Sequence, residues 1–304
     1  MTYLWERPSW PAFNWTNSEL LSALVAVRHK QGRLIALKQS FVHSYEFSDR
    51  TKDIFADLFV VGISRDRICG WQASLYPTGF AGIKRIVVGE LRSKDFARSS
   101  LPYKNLSIEL GRYLHWWTEP PVELDPFIRA ALASFWFLCL SPFEEGNFTL
   151  ACALAEKALS ESEKLDFRAY DVSLQLEENK AETLDAFVRS ASAGGDITDW
   201  ILYFLRRAEE ALDAALALAE HSSAAEAFWH RLSGFDLNQR QRKVLNVMFD
   251  ERGNMTNRRY KEICKTSRES AKRDLARLVS LDILRAGSKK GRSVSYNLTL
   301  LPPI

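Results

Sequence analysis

The sequence predicts a mainly α-helical protein with one small β-hairpin flap and a C-terminal winged helix-turn-helix domain. Three observations carry this expectation. Apolar residues recur at helical spacing over much of the 304-residue chain. Between Gly70 and Gly89 that pattern gives way to short β-rich pieces punctuated by Pro77, Gly79 and Gly82. From Asn238 onward the chain reads as three short helices followed by two strands.

The elements follow in order. Tyr3 to Trp15 is rich in Trp and Pro and reads as irregular. Asn17 is placed to cap a helix from Ser18 to about Gln39, with Leu21, Leu24, Val25, Leu34, Ile35 and Leu37 as its apolar positions. The segment Gly70–Gly89, including Arg85-Ile86-Val87-Val88, reads as a hairpin or flap. Pro120 and Pro121 break the chain before a helix from Asp125 to Leu140. A loop at Ser141–Gly146 leads into a helix from Asn147 to Ser160. One further helix is expected from Leu174 to Ser192, ended by Gly194-Gly195, and another from Asp196 to about Ala219. In the last part, Asn238–Phe249, Asn257–Cys264 and Ser267–Leu281 are helices. Ile283–Arg285 and Ser293–Leu298 are strands joined by a basic tip at Ser288–Arg292. The expected domains are 1–69, 70–220 and 221–304, the last including a linker.

Composition narrows the class. Apolar residues make up 46% and aromatics 12%, with nine tryptophans, which argues against disorder. Cys69, Cys139, Cys152 and Cys264 are far apart and form no C-x-x-C pair, so free thiols in a reducing cytoplasm are expected. The first ten residues carry Glu6 and Arg7 without an apolar run, unlike a signal peptide. The apolar stretch Ala130–Leu140 is too short to span a membrane. Charge is uneven. From Asp236 to Ile304, 16 Lys and Arg face seven Asp and Glu, a net +9, against +3 for the whole chain. A basic module on a mildly acidic body points to duplex DNA as a partner, with a solvated basic face as the alternative.

Within the third helix of that module, Ala271, Leu275 and Leu278 share an inward face. Arg273 and Arg277 lie roughly opposite with Glu269, flanked by Arg268 and Lys272, where a recognition helix meets the major groove. Lys289, Lys290 and Arg292 at the wing tip can reach phosphate or the minor groove. A protein-interaction winged helix is the alternative.

The stretch Leu140–Cys152 contains Ser141-Pro142-Phe143-Glu144-Glu145-Gly146-Asn147-Phe148-Thr149. On spacing alone it is a helix-to-helix turn. It also resembles the signature of Fic-type AMP transferases, His-Pro-Phe-x-Asp/Glu-Gly-Asn-Gly-Arg-x-x-Arg. Flanking segments add to the resemblance: Leu124–Ala130 with Phe135-Trp136-Phe137, Gly70–Phe80 before the flap, and Trp10–Trp15 with Gln31–Leu34 in a small N-terminal helical domain.

The resemblance implies a Fic-like helical core over 70–220, and a site that has lost its chemistry. Ser141 stands at the place of the catalytic histidine and lacks a base of near-neutral pKa. Phe148 replaces a glycine, where a φ > 0 would be costly. Thr149 and Cys152 replace the two phosphate-binding arginines. Gly146 and Asn147 keep a weak anion-binding capacity at a helix start. Glu145 matches the magnesium-binding acid, but one carboxylate makes a poor Mg²⁺ site. The family's inhibitory helix maps onto Val42–Phe47, where Glu46 is a vestige whose arginine partner is now Cys152. His29, His43, His115, His221 and His230 lie outside the motif and supply no replacement base. Cys152 is expected to be a buried structural thiol.

The expectation is a catalytically inactive Fic-like regulator that binds DNA. The alternatives are residual or altered nucleotidyl transfer to protein hydroxyls, and a partner-binding scaffold. No cofactor is expected, unless residual activity survives on ATP and magnesium. A protein partner at the flap and a homodimer remain open, and no membrane is expected.

Overall fold

The computed structural model describes residues 3–37, 54, 60, 62–95, 101–121, 124–163, 169–287 and 294–299. The chain divides into two compact units, Met1–Ala219 and Glu220–Ile304. Most of it is helical, as expected. Glu46 and the wing-tip residues Lys289, Lys290 and Arg292 lie outside the described residues.

The first unit is built around two helices. Helix α4 (Pro126–Leu140) starts on Asp125, whose Oδ1 accepts the Phe127 N–H at 2.8 Å, with Pro126 in the first turn. From Phe127 to Leu140 only Arg129 escapes full burial, so α4 is apolar all round. Helix α5 (Asn147–Glu163) packs along it and buries Leu150 to Ser160 without a break. Around this pair stand α1 (Asn17–Ala36), α2 (Arg65–Leu75), α3 (Tyr103–Thr118), α6 (Val172–Glu178), α7 (Lys180–Ala191) and the start of α8 (Thr198–Arg231). The flap is the two-stranded pair β1 (Phe80–Ala81) and β2 (Lys84–Arg85), with Phe80 opposite Arg85.

Several elements differ from expectation. In α1 the cap position is Thr16, and Asn17 instead accepts the Trp15 indole N–H at 2.9 Å. The buried face of α1 is Leu20, Val27, Gln31 and Leu34, whereas Leu21 and Val25 are 63% and 60% exposed. Part of the stretch assigned to the flap is helix α2, capped by Ser64, with Ile68, Trp71 and Gln72 buried at helical spacing. Helix α3 had no counterpart in the sequence reading, although Leu106, Leu110, Tyr113 and Trp117 share one face. The single helix expected over Leu174–Ser192 is two helices broken at Asn179, whose side-chain amide bonds the Gln175 carbonyl at 2.9 Å. Such local bonding competes with helix continuation. Helix α8 runs 12 residues past Ala219.

The second unit has its own core: Phe228, Leu237, Val244, Leu245, Met248, Met255, Tyr260, Leu275, Leu278 and Leu284 are among its buried residues. Helix α9 (Gln239–Glu251) opens with a capping box between Asn238 and Gln241. It is followed by β3 (Met255–Thr256), α10 (Asn257–Cys264), α11 (Arg268–Ser280), β4 (Leu284–Ala286) and β5 (Ser295–Leu298). The strands form an antiparallel sheet of order β3-β5-β4. Strand β3 is an addition to the two strands expected.

Asp274 ties this unit together. It is 4% exposed and accepts from Asn238 Nδ2 (3.0 Å), Arg240 Nε (2.8 Å) and the Tyr260 hydroxyl (3.0 Å). Burial alone would raise its pKa, but these hydrogen bonds more than offset that and hold the carboxyl below its usual range. The opposite holds for Tyr260, whose hydroxyl burial and Asp274 push well up, so it stays a donor.

No helix among the described residues is long and apolar enough to cross a membrane. All four cysteines are free thiols.

Candidate functional site

The loop between α4 and α5 is held by its own residues and by the neck of the flap. Ser141 ends α4 in the left-handed region (φ 40°, ψ 63°). Its hydroxyl donates to the Leu138 carbonyl at 2.6 Å, an orphan carbonyl of the helix end. Pro142 and Phe143 are buried beneath the loop. Asn147 uses both ends of its amide on one residue: Oδ1 accepts from Phe143 N at 3.0 Å and Nδ2 donates to Phe143 O at 2.8 Å.

Gly146 has φ +91°, so the positive φ falls here and not at Phe148, which lies within the first turn of α5. A Cβ on Gly146 would sit 3.0 Å from Tyr76 Cε2 and 3.4 Å from Leu75 Cδ1. The end of α2 therefore covers the glycine that a phosphate would approach. Glu145 accepts from Gln72 through its backbone carbonyl (3.4 Å), while its carboxylate pairs with Lys84 of the flap at 3.2 Å. Both side chains of that pair are about half exposed, so the ion pair is weak.

The two arginine positions have also been absorbed. Lys180 lies over the Phe148 ring, 5.1 Å from its centroid. Cys152 is 2% exposed, and burial first, then the charges of Glu177, Asp171 and Glu156, push its thiol well up. It is an inert, protonated thiol.

Arg92 is the residue that sequence reasoning missed. It is 4% exposed and lies beneath the loop. Its guanidinium donates to Ser141 O (2.8 Å), Leu140 O (3.3 Å), Lys94 O (3.1 Å), Asp95 Oδ1 (3.1 Å) and Leu101 O. Its own N–H donates to Pro142 O at 2.9 Å. One side chain thus satisfies the end of α4 and fixes where the loop begins. A lone arginine between Gly89 and Pro102 carries no local signal of this role. Gln72 was more accessible, because it shares the buried spacing of Ile68 and Trp71.

In the second unit, Arg268, Lys272 and Arg273 are exposed on α11. Among the described residues none of the three has an acidic partner. Arg277 is committed differently: it donates to Asp236 O at 2.8 Å and lies 3.5 Å from that carboxylate. The inward face is Ala271, Asp274, Leu275 and Leu278.

A family model described as a domain of unknown function, DUF4172, matches residues 3–57. No curated protein matches. Among solved structures, a Fic family protein from Desulfovibrio desulfuricans G20 aligns with TM-score 0.55 and 10% identity, over 97% of this chain and 99% of that one. A Fic-1 fragment from C. elegans aligns at TM-score 0.47 and 18% identity, over 68% of each chain. A Fic domain containing signaling protein from Bacteroides thetaiotaomicron aligns at 0.44 and 16%, over 72% and 94%. At these identities the likeness is one of fold, and this chain shares the fold of the Desulfovibrio Fic family protein along nearly its whole length.

Proposed function

We propose that this chain is a catalytically silent Fic-fold protein that binds duplex DNA through a C-terminal winged helix. The observation that carries it is the solvent face of α11. Arg240, Arg258, Arg259 and Arg277 of the second unit are each paired with an acid. Arg268, Lys272 and Arg273 are exposed and, among the described residues, have no acidic partner. Cations left unneutralised along one helix face suit a polyanion. The N-terminal half of α11 enters the major groove, and Lys289, Lys290 and Arg292 follow the phosphates.

Silence at the motif loop is supported by its donor set, which does not fit ATP with magnesium. Asn147 is spent on Phe143, Tyr76 covers Gly146, the Glu145 carboxylate faces Lys84, and Thr149 and Cys152 offer no cation. A protein partner at the flap is a second role, favoured by Ile83 at its tip, fully exposed, beside Phe80, 47% exposed.

Binding of the full chain to a random duplex, followed by fluorescence anisotropy across salt, tests the DNA role. Binding should weaken steeply with salt, and Lys272→Ala with Arg273→Ala should flatten the log–log slope by about 1.8, two phosphate contacts at about 0.9 each. Absence of binding at ~50 mM salt, where this attraction is strong, would make the unit a protein-interaction module.

A further inference from the structure

The first unit contains an apolar cavity of about 320 Å³, lined in part by Ala12, Phe13, Trp15, Trp116, Leu132 and Trp136. None of the motif residues lines it. Its aromatic walls are braced from behind. The Trp136 ring meets Phe13 and Trp116 at 5.6 Å each, Tyr113 at 5.5 Å and Trp10 at 6.2 Å. Trp10 is in turn anchored by its indole N–H on Glu109 Oε2 at 2.8 Å. Walls held in this way keep their shape without an occupant, as ligand pockets of this size generally do.

The lining also selects the chemistry of an occupant. No charged side chain lines the cavity. The Trp15 indole N–H is spent on Asn17. A charged ligand would give up its hydration for no counter-charge. A flat apolar ring would exchange water for contact with four aromatic side chains, which favour edge-to-face and offset packing.

We propose that this cavity is a binding site for an uncharged aromatic small molecule of one or two fused rings. The site is independent of the DNA role and of the motif loop.

Indole is the probe, titrated calorimetrically into the full chain. One indole should bind per chain, and indole-3-acetate and choline should bind at least about tenfold more weakly, a difference of about 1.4 kcal/mol. Ala12 lies exposed on the rim, so Ala12→Phe should lower indole affinity by a similar factor while the melting temperature stays put. Trp15→Ala, which removes a wall instead of filling the mouth, should also weaken it. Failure of indole to bind at ~5 mM, well into the range of weak ligands, would overturn the proposal. So would indole binding that ignores both substitutions, or choline binding as tightly as indole.

Discussion

Replacing Asp274 with alanine should unlatch the second unit. The side chain accepts three hydrogen bonds from Asn238, Arg240 and Tyr260, and Gln241 Nε2 adds a bond to its backbone carbonyl at 3.3 Å. The substitution leaves a buried tyrosine hydroxyl and an asparagine amide without their acceptor. Breaking a buried ionic cluster by removing one partner costs about 3–5 kcal/mol. The Arg240 side chain is 40% exposed, so water takes over part of its charge and the lower end applies, about 3 kcal/mol. That is a large share of the stability of a unit of this size, at roughly 0.05–0.15 kcal/mol per residue. The assay is hydrogen exchange of the backbone amides in α9, α10 and α11, where a loss of about 3 kcal/mol reads as roughly a hundredfold faster exchange. Acceleration below tenfold would refute the latch. The sign with pH follows from the lowered pKa. The folded carboxyl holds its charge to lower pH than the unfolded one, so its contribution is complete above the ordinary value of about 3.9. It is lost as pH falls through the lowered folded value, so the gap between the parent and Asp274→Ala should close in that acid window.

Arg92→Ala should lower the melting temperature of the first unit, because it strips donors from the buried end of α4; a loss of about 3 kcal/mol is expected from an unsatisfied buried cluster. An unchanged melting curve would mean that water replaces the guanidinium. Ser141→His alone should give no AMP transfer from labelled ATP with magnesium, because a general base acts only on a phosphate already held in place. Labelling by that single variant would show that the loop still cradles a nucleotide.

How far the sequence could be read depended on how local the deciding interactions are. Helix α4 was legible because Asp125, Pro126 and an unbroken apolar run act within a few residues of one another. The start of α5 was legible from Gly146 and Asn147. By contrast, the fraying of expectation at Leu174–Ser192 came from Asn179, whose competition with the helix depends on a rotamer that spacing cannot reveal. The first helix was placed correctly, but its faces were not. Leu20 and Leu21, or Val25 and Val27, are alike as residues, and only the surrounding helices decide which of them is covered. Helix α3 had a readable stripe, Leu106-Leu110-Tyr113-Trp117, and was overlooked. The partners of the loop were the least legible. Arg92, Gln72, Tyr76 and Lys84 reach it from 49 to 73 residues away. No periodicity connects them.

Those distant partners explain why the loop's substitutions belong together. A helix N-terminus that holds phosphate must leave its amides and short side chains open toward solvent. Here each of them has been turned inward. The Ser141 hydroxyl caps its own helix, the Asn147 amide closes on Phe143, and the Tyr76 ring lies on Gly146. The side chain that replaced the motif's last glycine, Phe148, supports Lys180, and the one that replaced its last arginine, Cys152, fills the core. These contacts stabilise the folded chain in the places where a working site would forgo stability for ligand access. Once the loop is part of the core, a returning histidine or arginine must displace a packed neighbour before it can meet a substrate. The barrier to regaining the chemistry is therefore set by packing as well as by the missing base.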